Sequence, residues 1–290
     1  MTAIEALLAG LVDYAGLFPP ASLDMPIAVR NYAEYRSGDH AWMLGRFIVP
    51  VQRLTEFTKA FHGACCDEQV TPWLLSILSS GDMNEDKRLL ENFGGGAAVI
   101  QALEMKAGSA AQLEQLLSAA PEEVAVYAEI APDQSQQMLP VLQRSNARAK
   151  IRTGGTTEDA FPDAEQIARF LVFCAQAKVP FKATAGLHHP LRSVQKLTYE
   201  PESGSALMHG FINLFVAATA AYYGASREEV LAVLLEDRAS AFEWSKHALS
   251  WREQKFSAEQ IRKARENFAI SFGSCSFTEP VNDLLALGWL

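Results

Sequence analysis

The feature that most narrows the fold is an alternation, sustained along most of the chain, of short apolar runs with amphipathic stretches. Strand-like runs occupy 14–18 (YAGLF), 42–50, 72–80, 97–105, 123–131, 147–155 and 180–189. Segments with helical spacing follow at 26–37, 52–62, 84–93, 109–119, 134–144 and 163–178. Apolar residues recur three and four apart in the helical segments, as in Ile167, Phe170, Leu171 and Cys174. Strand and helix in strict succession predict parallel β-α units. Seven or eight such units favour an α/β chain folded as a (βα)8 TIM-type barrel. The rival, an open doubly wound sheet, opens with a glycine-rich phosphate turn after its first strand. Here the first run ends in LFPPAS (17–22) instead.

The end of the pattern is less regular. FAISFGSCSF (268–277) supplies the last strand, expected at 269–275, so 190–268 becomes a helical and hairpin excursion between strands seven and eight. Within it, 240–256 has two strand-like runs around a polar turn. A single domain over 1–290, with 190–268 embedded, is the expectation, since no linker, repeat or low-complexity tract interrupts the chain. The stretch 203–224 carries no Asp, Glu, Lys or Arg and is long enough to span a bilayer. Polar residues dilute it and basic or aromatic flanks are missing, so it reads as a buried helix over 205–222.

Composition then excludes whole function classes. A net charge of -9 is the opposite of a basic nucleic-acid footprint. Four cysteines, Cys65, Cys66, Cys174 and Cys275, match no zinc spacing and are too few for a disulfide framework, which points to reduced thiols and a cytoplasmic protein. The N-terminal run has no basic n-region, and Glu5 and Asp13 interrupt it, so it does not read as a signal peptide. A barrel of this size is expected to form a homo-oligomer.

Function is sought where a barrel keeps it, at the C-terminal strand ends. In AKIRTGG (149–155) apolar and cationic residues alternate, so Lys150 and Arg152 share the face opposite Ala149 and Ile151. In PFKATAG (180–186) Lys182 and Thr184 share the face opposite Phe181 and Ala183. Three interior cations need anionic partners, because an isolated buried charge is costly. Glu104 and Glu129 end strands four and five and can supply them, and a substrate carboxylate or phosphate can supply the rest. Mutual repulsion is expected to lower at least one lysine pKa. His188 and His189 fall where strand seven opens to the mouth. Gly154 and Gly155 can present backbone N–H groups to an anion. Ser205 is expected to cap a helix carrying His209, with Asn213 four residues on. At the last strand Ser274 is taken as a substrate contact, and Cys275 as packing rather than nucleophile. Arg46 lines an early strand, facing inward or outward. His188, His189, Glu104 and Glu129 are permitted metal ligands, but their spacing matches no metal motif, so no cofactor is expected, with a divalent metal as the alternative.

Two of these strands resemble class I aldolases of the deoxyribose-phosphate aldolase type. FKATAG (181–186) is similar to that family's Val-Lys-Ala-Ser/Ala-Gly-Gly run on strand seven, with Lys182 on its lysine. IRTGG (151–155) is similar to its strand-six run, which carries a lysine followed by Thr, Ser and Gly, with Arg152 standing where the Schiff-base lysine would be. An arginine stays protonated and forms no imine at useful rates. The resemblance implies a barrel and a lyase-type, lysine-assisted chemistry. The leading expectation is therefore aldol-type cleavage or enolisation of a small anionic carbonyl compound. In it Lys182 is nucleophile or base, Glu129 and Glu104 shuttle protons, and His188 assists. Lys150, Arg152, Thr184, Gly154, Gly155, His189, His209 and Ser274 contact substrate. The alternatives are a metal-assisted hydrolase or isomerase, and a small-anion binding protein without catalysis.

Overall fold

A computed structural model describes residues 1–64 and 71–290; Cys65 and Cys66 lie outside the described residues. The chain runs α1 (Ala3–Leu8), β1 (Val12–Tyr14), α2 (Met25–Ser37), β2 (Leu44–Pro50), α3 (Leu54–Ala64), β3 (Trp73–Leu78), α4 (Met83–Glu91), β4 (Ala98–Lys106), α5 (Ala110–Ala119), β5 (Ala125–Glu129), α6 (Ser135–Arg144), β6 (Arg148–Arg152), α7 (Ala164–Ala177) and β7 (Phe181–Thr184). It continues through β8 (Ser193–Lys196), β9 (Ser205–Met208), α8 (Phe211–Tyr222), α9 (Arg227–Leu234), β10 (Phe242–Trp244), β11 (Ala248–Trp251), β12 (Gln254–Ser257), α10 (Ala258–Asn267), β13 (Ala269–Ser274) and α11 (Thr278–Ala286). Strands β1 to β7 and β13 close into a parallel barrel in the order β1-β13-β7-β6-β5-β4-β3-β2. This is the (βα)8 TIM-type barrel the alternation predicts, with β13 as its eighth strand. Register pairs Lys150 with Lys182 and Glu129 with Lys150, which brings the charged positions of neighbouring strands to one level.

Core helices follow from their own sequences. In α7, Asp163 and Gln166 form a reciprocal capping box, and Ile167, Phe170, Leu171 and Cys174 are buried against the strands. Strand β1 corrects the expectation of 14–18: only Val12–Tyr14 pair, and Leu17 and Phe18 belong to the loop over the mouth. The excursion is also revised. Ser205–Met208 alternates exposed and buried residues and pairs antiparallel with β8, so 205–208 is strand and the helix begins at Phe211. Ser205 therefore caps no helix. The region 240–256 is a three-stranded antiparallel sheet, not a hairpin alone. Helix α8 is buried from Phe211 to Ala221, as its lack of charge predicts. It stacks Phe211 on Phe272 of β13 with ring centroids 5.3 Å apart. Among the described residues no helix is long and apolar enough to cross a membrane.

Candidate active site

The barrel interior is unusual in being charged. Lys182 sits on β7, fully buried. Its Nζ donates to Asp13 Oδ2 at 2.6 Å and to Glu104 Oε1 at 2.7 Å. It also lies 5.6 Å from the centroid of the Tyr127 ring. Two serines complete the shell: Ser76 donates to Glu104 Oε1 at 2.6 Å and Ser271 to Asp13 Oδ2 at 2.8 Å. Arg46 donates its backbone N–H to Asp13 Oδ1, with its guanidinium 3.8 Å away, so this arginine faces inward. The other oxygen of Glu104, Oε2, meets Lys150 Nζ at 2.9 Å, and Lys150 reaches Glu129 Oε2 at 3.0 Å. Arg152 lies 3.5 Å from Glu129 Oε1 with half its side chain in solvent.

Glu104 thus stands between the two lysines and replaces the repulsion expected of them with a bridge. Burial works against its negative charge, but Lys150 and then Lys182 prevail and hold the carboxyl well below the usual carboxylate range. Glu129 is lowered in the same way, burial opposing and Lys150 and Arg152 prevailing. Lys182 moves opposite to the expectation. Burial would lower its pKa, yet Asp13 and Glu104 raise it above the ordinary lysine value. A lysine held so firmly as an ammonium is a poor nucleophile or base. Three carboxylates (Asp13, Glu104, Glu129) meet four cations (Arg46, Lys150, Arg152, Lys182), which leaves one positive charge in excess, and the exposed Arg152 is at the open end.

Above this floor a cavity of about 310 Å³ opens at the C-terminal strand ends. Glu104 and Lys150 form its base, Arg152, Thr156, Thr184 and His188 its polar wall, and Phe18, Ile48 and Leu78 an apolar side. Lys182 does not line it. The last turn of its wall is strained: Ala185 has φ 63° and Gly186 φ 73°. Gly154 and Gly186 pack backbone to backbone, since a Cβ on Gly154 would come within 2.8 Å of the Gly186 Cα. Gly155 lines the cavity, while Gly154 serves this close approach. A second cavity of about 360 Å³ adjoins the first under the β8–β9 hairpin, bordered by His188, His189, Gln195, Thr198, Tyr199 and Glu279. His188 Nδ1 lies 3.0 Å from Glu279 Oε2, and His189 Nδ1 lies 2.6 Å from Asp283 Oδ2.

Of the sequence-derived candidates, Glu104, Glu129, Lys150, Arg152, Thr184, Gly155 and His188 are therefore brought together, and His189 borders the neighbouring cavity. His209 is not. It precedes α8 rather than riding on it, and Nε2 pairs with the Pro162 carbonyl at 2.7 Å, away from the mouth. Asn213 is a buried bracket that donates to the Val233 and Glu236 carbonyls. Ser274 is buried outside the lining, while the opposite face of β13 points inward through Ser271, Gly273 and Cys275. Cys275 lines the cavity, where burial raises its thiol pKa. Residues missed from sequence are Asp13, Ser76, Ser271, Tyr199 and Glu279. Asp13, in LVDYAG, had a signal: a carboxylate within an apolar strand poses the same question as Lys182. Among the described residues no group of three or more His, Cys, Asp or Glu side chains is arranged to hold a metal. No protein-family model matches the chain, and no curated protein matches it either.

Proposed function

We propose that the chain is a lyase-type barrel enzyme that handles a small anionic carbonyl compound through Lys150 rather than Lys182. One observation carries the reading: Lys150 is the lysine whose side chain lines the mouth cavity, and it stands between two carboxylates there. The aldolase-type resemblance asks for a reacting lysine on strand six at the position Arg152 holds; Lys150 lies on the same strand and face, two residues earlier. In this scheme Lys150 first passes a proton to Glu129, and its freed amine attacks the substrate carbonyl. The proton returned from Glu129 lets the carbinolamine hydroxyl leave as water, so an iminium forms. Cleavage of the Cα–Cβ bond passes its electron pair to the iminium nitrogen as an enamine. Glu129, at the solvent side, carries protons to and from the site, and Glu104 keeps the Lys150 side chain aimed at the cavity. Arg152 and the N–H groups around Gly155 and Thr156 take the substrate's carboxylate or phosphate.

A second reading has a specific observation in its favour. Lys150 Nζ stands between two carboxylates at the cavity base, so its N–H groups can instead polarise a carbonyl oxygen while a carboxylate removes a C–H proton, which is enolisation without a covalent adduct. Borohydride reduction in the presence of pyruvate, dihydroxyacetone phosphate or acetaldehyde separates the two. A mass increase on Lys150, lost in Lys150→Met, supports the imine. Deuterium exchange into a probe without an adduct supports enolisation. Neither signal with any probe would remove both readings.

A further inference from the structure

The barrel mouth and the hairpin cavity are treated by the scheme above as neighbours, yet four residues line both: Pro20, Gly155, Gly186 and His188. Of these four only His188 carries a titratable group. The two spaces therefore share a wall, and an imidazole stands in it. Its orientation is fixed from a distant part of the chain. Glu279, in the first turn of α11, accepts at Nδ1, and the Tyr199 hydroxyl donates to the same Glu279 oxygen at 3.1 Å. A carboxylate cannot donate, so in the neutral ring Nδ1 bears the hydrogen and Nε2 is left as the basic nitrogen.

The hairpin cavity has a chemistry distinct from that of the barrel mouth. Its one lysine, Lys196, is exposed and turns its Nζ to the Pro201 carbonyl at 2.7 Å, and its carboxylate Glu279 is held by His188 and Tyr199. The other groups at its edge are the Gln195 amide, the Thr198 hydroxyl, the Tyr199 ring and His189, whose Nδ1 is held by Asp283, beside Leu197 and Met208. Such a lining, with hydrogen-bonding groups inside and its lysine turned outward, suits hydroxyl groups on a short carbon chain.

We propose that the hairpin cavity is the subsite for an uncharged hydroxylated aldehyde, the fragment released or accepted across the scissile bond, and that His188 moves the proton of its hydroxyl. This rests on the Lys150 imine reading. In cleavage, His188 Nε2 takes the β-hydroxyl proton. The O–H electron pair becomes the aldehyde C=O, and the Cα–Cβ pair goes to the enamine. In condensation the proton returns. Glu279 and Tyr199 are positioning residues that hold the ring.

The test uses the full chain with pyruvate as donor and glyceraldehyde as acceptor. Condensation product is quantified by mass spectrometry, and deuterium exchange into the pyruvate methyl group by NMR. In His188→Ala, condensation falls about 100-fold, exchange falls far less, and added imidazole restores part of the condensation. Tyr199→Phe gives an independent reading should His188→Ala fold poorly: it raises the glyceraldehyde KM by a larger factor than it changes exchange. Equal losses of condensation and exchange, or no recovery with imidazole in a folded His188→Ala chain, overturn the assignment. So does wild-type exchange without condensation. A wild-type chain that neither exchanges pyruvate nor is trapped by borohydride fails earlier, at the Lys150 reading, and this inference falls with it.

Discussion

Lys150 and Lys182 are register partners on adjacent strands, yet they inhabit different worlds. Lys182 is closed in below the cavity by Asp13, Glu104, Ser76, Ser271 and Tyr127. Lys150, sharing Glu104 with it, opens onto the mouth, where Glu129 and Arg152 lead to solvent. Both are cations in a barrel interior, but only one can be reached by a substrate. The difference teaches that charge in a strand is two observations, not one. The sealed lysine holds the geometry of carboxylates that the open lysine uses.

The sharpest way to break this comparison is to remove the sealed cation. Lys182→Met leaves Asp13 and Glu104 facing one another without their shared counter-ion, so the expected loss is about 3–5 kcal/mol in urea unfolding. Mutual repulsion of the lysines would have predicted the opposite sign, but carboxylates stand between them. An unchanged urea midpoint would make the floor and mouth equivalent and end the distinction.

Removing the open cation should do less to stability and more to chemistry. Lys150→Met is expected to cost about 1–3 kcal/mol, since Glu129 retains Arg152 and solvent, while borohydride trapping disappears. A stability loss as large as that of Lys182→Met would show that both lysines are structural.

Acid titration sharpens the same contrast. Glu104 and Glu129 both have folded pKa values below the usual carboxylate range, so their contribution is fully present above about pH 4.5 and is lost as pH falls through their depressed values. Lys182, raised, contributes fully below about pH 10.5 and loses its share only above that. Urea midpoints should therefore hold steady from about pH 5 to pH 10, where these groups are concerned, and fall on either side. Lys150→Met should flatten the acid limb, because Lys150 is the largest favourable influence on both glutamates.

The smallest effect on stability is expected at Arg152, whose side chain is half exposed. Arg152→Gln should change the unfolding free energy by less than about 0.5 kcal/mol. It should nonetheless weaken protection of the chain by an anionic probe such as pyruvate in thermal melts. Undiminished protection would place the anion elsewhere in the mouth.

Much of the barrel was legible because its units are local. An apolar run followed by a helix of three- and four-residue period is written in consecutive residues, and so is the inward face of AKIRTGG. What was not legible lies between distant segments. Lys182 is a residue in a strand from sequence alone, and nothing near it names Asp13 as its partner. His188 and His189 sit beside each other, but Glu279 and Asp283, four apart on α11, decide what each ring does. Short elements mislead for a different reason. Strand β1 has three residues, too few to show a period, and the apolar loop after it reads more like a strand than the strand does. In SALM the period of two was present but drowned by the apolar stretch that follows. At β13 the hydroxyl of Ser274 suggests a substrate contact, but the inward face belongs to Ser271, Gly273 and Cys275.

Asp13 touches Ser271 and Lys182, and both contacts span most of the chain. Strand β1 enters the barrel only through β2 and β13, and Ser271 of the latter lies 258 residues beyond Asp13. Closing so long a loop precedes any return from the contact, which places this seam among the slow, non-local steps of folding. On a ribosome, a nascent chain therefore carries its interior lysines and carboxylates without a closed wall around them until β13 has emerged. Until then Asp13 has no Ser271 to hold it, and the mouth has no wall at Gly273 and Cys275, so the charged floor becomes usable only once its two most distant strands have met.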